Sequence, residues 1–94
     1  MTDGTLSDET IATALTGTGF THEDTCLVRT VELADFAAVI AAVNRIAEVA
    51  EARNHHPDLL VHGWNKLTIT LSTHSAGGIT EADLDLAGRL AELL

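Results

Sequence analysis

The stretch from Asp35 to Asn54, "DFAAVIAAVNRIAEVAEARN", with Pro57 close behind it, constrains this chain more than any other. Phe36, Val39, Ile40, Val43, Ile46, Ala47 and Ala50 recur at steps of three and four, which puts apolar side chains on one face of a helix. Asn44, Arg45, Glu48, Glu51 and Arg53 fall elsewhere. Asp35 offers the short side-chain acceptor of an N-cap. Pro57 has no amide hydrogen and its ring obstructs the preceding turn, so the helix ends near Asn54 to His56. A helix with one apolar face must bury that face against another element.

The surface it needs is legible in "KLTITLST". Leu67, Ile69 and Leu71 alternate with Thr68, Thr70 and Ser72, as a sheet buried on one face requires. "TCLVRTVEL" is rich in β-branched residues and reads as a second strand, with Leu27, Val31 and Leu33 on one face. "LLVHGW" reads as a short strand, and "FTHED" as a weaker one leading into a turn. Ahead of them "LSDETIATAL" reads as a short helix capped by Ser7, with Asp8 and Glu9 in its first turn, and "TGTG" breaks it. "SAGG" is a loop, after which Thr80 opens a last helix, "EADLDLAGRLAELL". Leu84, Ala87, Ala91 and Leu94 form one stripe on it, and Leu86, Leu90 and Leu93 a second beside the first. So broad an arc is covered either by another subunit or by the chain end folding inward. The order α-β-β-α-β-β-α, with short connections between paired strands, predicts an α+β fold: two layers, a four-stranded antiparallel sheet with helices packed on one face. Residues 1–6 read as a flexible tail and 7–94 as a single domain.

Composition narrows the function. A formal net charge of −9 lacks the basic face that nucleic acid or an anionic membrane requires, so no partner of either kind is expected. Cys26 is the only cysteine, which excludes an intrachain disulfide framework; it reads as a small buried hydrophobe. The polar, acidic "MTDGTLSDET" does not resemble a signal peptide, and no apolar run approaches membrane-spanning length. The expected compartment is a reduced cytoplasm.

The unusual supply is imidazole: five histidines, two of them adjacent in "RNHHPD". Pro57 pushes His56 towards extended backbone, while His55 stays in or at the last helical turn. The two side chains therefore leave in different directions, which suits two sides of a pocket better than a shared metal. The negative end of the helix and Glu51, one turn back, both favour imidazolium at His55. A histidine that exchanges its proton near neutral pH suits general acid–base catalysis, although an exposed helix-end histidine reads the same way from periodicity. His74 ends the clearest strand, beside the Gly77-Gly78 loop. His62 and His22 read as surface or rim residues. Asp83, three residues after Thr80, fits a capping box or a carboxylate that orients a histidine. Trp64, the only tryptophan, suits either core or the wall of a flat-ligand site. A zinc site from His55, His56, His62 and His74 would lack a cysteine and the His-x-x-x-His helical spacing, so no metal is assigned. There is no P-loop and no G-x-S-x-G.

Taken in order, Glu51, three residues, His55-His56-Pro57, six residues, Trp64, nine residues, His74, eight residues and Asp83 resemble the signature of the pterin-4a-carbinolamine dehydratases. The likeness runs from about Leu27 to Leu90, including "NHHPD" and "KLTITLSTHSAGGITEADLDLA". It implies dehydration of a 4a-hydroxytetrahydropterin to a quinonoid dihydropterin, with no metal or redox cofactor. It implies His55, His56 and His74 as the active-site histidines, with Glu51 and Asp83 as supporting carboxylates. Trp64, Phe20 and Pro57 would contact the substrate. Many members carry a Gly-Trp pair before the first strand; here "TGTGFTHED" stands in that region and Phe20 is the nearest aromatic. The resemblance also implies a homodimer or homotetramer. Relatives reused as a transcription co-activator or an enzyme-assembly factor supply the alternative, a non-catalytic interaction protein. The intact histidine set favours the enzyme.

Overall fold

The structure, a computed structural model, describes residues 6–94. Its elements follow the expected order: α1 (Asp8–Ala14), β1 (Thr21–Glu23), β2 (Cys26–Glu32), α2 (Phe36–Arg53), β3 (Asp58–His62), β4 (Lys66–Leu71) and α3 (Glu81–Leu93), with a 3-10 turn at His74–Ala76. Most of the tail expected over residues 1–6 lies outside the described residues. Leu6 itself donates its amide to the Ile79 carbonyl at 3.1 Å and packs against the core.

The strands form one sheet in the order β1-β2-β4-β3, every neighbouring pair antiparallel. β2 and β3 therefore run parallel with β4 between them, and α2 is the crossover that joins them. In β4, Leu67, Ile69 and Leu71 are fully buried while Lys66, Thr68 and Thr70 are half-buried on the other face. The buried strand residues form one cluster with Ile11 of α1, Val39, Ala42 and Ile46 of α2, and Leu86, Ala87 and Leu90 of α3. All three helices thus share one face of the sheet, and each buried Leu or Ile contributes about 1.5–3 kcal/mol. The opposite face is polar: the Thr68 hydroxyl lies 2.8 Å from that of Thr30 and 2.9 Å from His62 Nε2.

The buried line of α2 is rotated from the expected one. Val39, Ala42, Ile46 and Ala50 are buried, whereas Phe36, Ile40 and Ala47 are exposed. Alanines at 42 and 50 permit close approach, so packing centres on them and the bulkier residues move to the rim. On α3 the buried residues are Asp83, Leu86, Ala87 and Leu90, and Leu93 and Leu94 pack against the cluster, so the chain end folds inward. A carboxylate in the middle of that apolar line leads to the site.

Candidate active site

The end of α2 separates the adjacent histidines. Asn54 takes a left-handed conformation, φ 50° and ψ 42°. Its amide returns to the Glu51 carbonyl at 3.2 Å and that of His55 to Ala50 at 3.1 Å. This is a Schellman ending, and asparagine is one of the few residues besides glycine that enters it readily. His55 is therefore outside the helix, with Pro57 holding the following chain extended. His55 faces α3 and His56 turns back along α2.

Each ring meets its own carboxylate. His55 Nε2 lies 2.5 Å from Asp83 Oδ1, and His56 Nε2 lies 2.6 Å from Glu51 Oε2. The expected Glu51–His55 contact is thereby corrected. The left-handed residue removes His55 from the helical spacing that would have brought it one turn above Glu51, and delivers His56 there instead.

Asp83 has no exposed surface. Its Oδ2 accepts from the Thr80 amide at 3.0 Å and from the Thr73 hydroxyl at 2.6 Å, while Oδ1 takes His55. A carboxylate surrounded by three donors can remain buried because each contact is charge-assisted. The two readings open in the sequence, helix cap and histidine orienter, are both realised by one side chain. Since the carboxylate needs a donor, the proton on neutral His55 sits at Nε2, leaving Nδ1 as the basic nitrogen.

His74 opens the 3-10 turn that follows β4. The loop is closed by the Thr73 amide on Gly78 O at 2.9 Å and by the Ala76 and Gly77 amides on Thr73 O, both at 3.0 Å. Gly77 takes φ 73°, left-handed, which a glycine accepts without strain. This loop and the α2 terminus line one cleft of about 340 Å³. Its lining is Asn54, His55 and His56 from the end of α2, Thr73, His74 and Ser75 from the loop, and Asp58, Thr70 and Ser72 from the polar sheet face. That volume suits a small ligand. The adjacent His55 and His56 and the more distant His74 thus share one cavity. Glu51 and Asp83 stand behind two of them.

The other expected contacts are not assembled there. Phe20 is buried in the hydrophobic cluster and has no face to offer a ligand. Trp64 is exposed in the β3–β4 turn. Thr70, which lines the cleft, lies four residues beyond Lys66 at the start of β4, about 13 Å at the strand rise of 3.3 Å per residue. Pro57 is half-buried beside the lining histidines and acts through the backbone of His56. His62 and His22 lie outside the cavity, as expected. The residues that sequence reasoning missed are Asn54, Asp58, Thr70, Ser72, Thr73 and Ser75. Strand alternation already put Thr70 and Ser72 on the polar face, but not which end of it carries a site. Among the described residues, no three His, Cys, Asp or Glu side chains gather as metal ligands, and no helix is long and apolar enough to cross a membrane.

Comparison with known proteins converges on one family. The profile described as "Pterin 4 alpha carbinolamine dehydratase" matches residues 4–93. A protein of Nocardia farcinica named as a pterin-4-alpha-carbinolamine dehydratase is 50% identical over 94 residues, covering 99% of this chain and 98% of its own. A similarly named protein of Thermomicrobium roseum is 46% identical over 89 residues, covering 94% and 95%. Among solved structures, a transcriptional coactivator/pterin dehydratase from Brucella melitensis superposes with a TM-score of 0.86 at 27% identity, covering 95% of this chain and 97% of that one. A pterin dehydratase-like protein described as a RuBisCO assembly factor in the alpha-carboxysome shares the fold, with a TM-score of 0.67 at 20% identity over 80% of this chain and 88% of that one.

Proposed function

This chain belongs to the pterin-4a-carbinolamine dehydratase family, and from that premise we propose that it dehydrates a 4a-hydroxytetrahydropterin to a quinonoid dihydropterin and water by histidine acid–base catalysis. The observation that carries the proposal is the convergence of His55, His56 and His74 on one cleft, two of them with a carboxylate partner.

The chemistry needs two proton transfers and no change of oxidation state. The C4a–O bond breaks as an acid protonates the departing hydroxyl, giving water. A base removes the N5 proton, and that electron pair forms the C4a–N5 double bond. His55 and His74, both lining the cleft, flank the hydroxyl as acid and base. Nδ1 of His55 is the working nitrogen, because Nε2 is engaged by Asp83. His56 binds and orients the pterin, with Glu51 steadying its ring and Pro57 its backbone. A homodimer or homotetramer belongs to the same reading, supported by the exposed Phe36, Ile40, Leu60 and Trp64 and by the outer edge of β3, which has no strand partner among the described residues. The pterin is the only partner required, and the cytoplasm the compartment; the acidic surface offers nothing to nucleic acid.

A stopped-flow assay with a 4a-hydroxytetrahydropterin tests the activity. Dehydration well above the spontaneous rate is the expected result. A rate no different from background rejects the enzyme and leaves the interaction or assembly protein that the solved relatives exemplify. Light scattering of the purified protein tests the oligomer.

A further inference from the structure

The Thr73 hydroxyl links the loop that carries His74 to His55 through Asp83. It donates to Asp83 Oδ2 at 2.6 Å. The Thr80 hydroxyl lies 2.8 Å from the Thr73 hydroxyl oxygen, and because the Thr73 proton is directed at Asp83, Thr80 is the donor in that contact. Oδ2 therefore has two donors, the Thr73 hydroxyl and the Thr80 amide, and Oδ1 is left for His55. Two anchors on one oxygen stop the carboxylate from rotating about its Cβ–Cγ bond. The remaining oxygen then faces a ring nitrogen that must carry a proton. Thr73 also precedes His74 directly, and its backbone amide and carbonyl close the loop that carries His74.

We propose that Thr73 is a positioning residue: through Asp83 it holds His55 in the Nε2–H tautomer, with Nδ1 free, and through its backbone it fixes the loop that brings His74 to the same cleft. The importance of this arrangement for turnover rests on the dehydratase reading; the hydrogen-bond relay itself does not. A hydroxyl two contacts from the reacting atoms acts only by fixing a ring, so its removal should affect kcat rather than substrate binding.

The test compares Thr73→Val, which keeps the shape and loses the hydroxyl, with Thr73→Ser, which keeps the hydroxyl. The first readout is the ring nitrogen NMR shifts of His55 in ligand-free protein. Wild type and Thr73→Ser should show the Nε2–H tautomer, and Thr73→Val a mixture. The second is steady-state kinetics. Thr73→Val should lower kcat roughly ten- to a hundredfold, the size typical of losing a partner that orients a histidine, with KM within about twofold. Thr73→Ser should restore most of the rate. Thr73→Ala replaces the valine variant if that one does not fold. Unchanged ring shifts in a folded variant lacking the hydroxyl overturn the proposal, as does a serine variant as impaired as the valine one. If wild type has no dehydratase activity, the functional reading fails while the ring shifts still decide the role of Thr73.

Discussion

The His55–Asp83 and His56–Glu51 pairs are almost equal in length, 2.5 and 2.6 Å, and differ in nearly everything else. The side chains of the first are 17% and 0% exposed, those of the second 56% and 74%. Around Asp83 no water can replace a lost partner, so the ring, the hydroxyl and the amide that meet there hold one another in place. Around Glu51 water competes for both partners and salt screens the attraction. The length of a hydrogen bond therefore does not rank it; its surroundings do. In the proposed mechanism the enclosed histidine keeps one tautomer and orientation, as proton transfer in a fixed direction requires, and the solvent-exposed one meets the substrate as it arrives.

Substitutions can break this comparison from the strong side first. His55→Ala and His74→Ala should each lower kcat by about 10² or more, the usual contribution of a general acid or base. Near-normal turnover in both would remove the proposed catalytic pair. Asp83→Asn should come next, lowering kcat roughly ten- to a hundredfold by loosening His55. It should also reduce stability by about 1–3 kcal/mol, because a buried group with three donors loses its charge-assisted partners. Urea titration beside kinetics separates the two effects, and a variant as stable and active as wild type would show that burial gives this pair no special weight.

The exposed pair should respond weakly. Glu51→Gln should shift stability by no more than about 0.5 kcal/mol, the range of exposed ion pairs. The shift should shrink further in high salt, as urea titrations at two ionic strengths would show. A salt-insensitive loss of several times that size would mean that this pair too is shielded from water. The smallest effect is expected at Trp64. With Trp64 in the β3–β4 turn and the cleft-lining Thr70 about 13 Å along β4 from the end of that turn, Trp64→Ala should leave kcat and KM within about twofold. A large rise in KM would mean that this tryptophan reaches a cleft other than that of its own chain.

Much of the fold was legible because it follows from local periodicity. The alternation of Leu67, Ile69 and Leu71 with threonines identified β4 and its buried face, and Asp35 and Pro57 bracketed α2. The rotation of the α2 face was not legible, since alanines score as weakly apolar in a pattern yet set where helices approach most closely. In the site, the three histidines could be named because their ordered spacing resembles a family signature. Glu51 and Asp83 could be named with them, but not which histidine each serves, because the contact of His55 with Asp83 spans 28 residues and depends on how α3 lies beside the end of α2. Thr73 gave no signal at all: a threonine at the end of a strand looks the same whether its hydroxyl meets water or a buried carboxylate.

The order of elements and the two-layer architecture were legible in the sequence alone through side-chain period, and the divergence of His55 from His56 through the backbone limits of proline; the candidate histidines came from the resemblance of their ordered set to a family signature. The tertiary structure decided which carboxylate serves which imidazole. A single left-handed residue, Asn54, turns His55 away from Glu51 and towards α3. The same packing put Phe20 in the core and Trp64 at the far end of the hairpin, leaving the cleft to histidines, hydroxyls and one exposed aspartate. The reason is physical: spacing along a chain fixes the direction in which a side chain leaves its own element, whereas the partner it meets depends on the packing of elements distant in sequence.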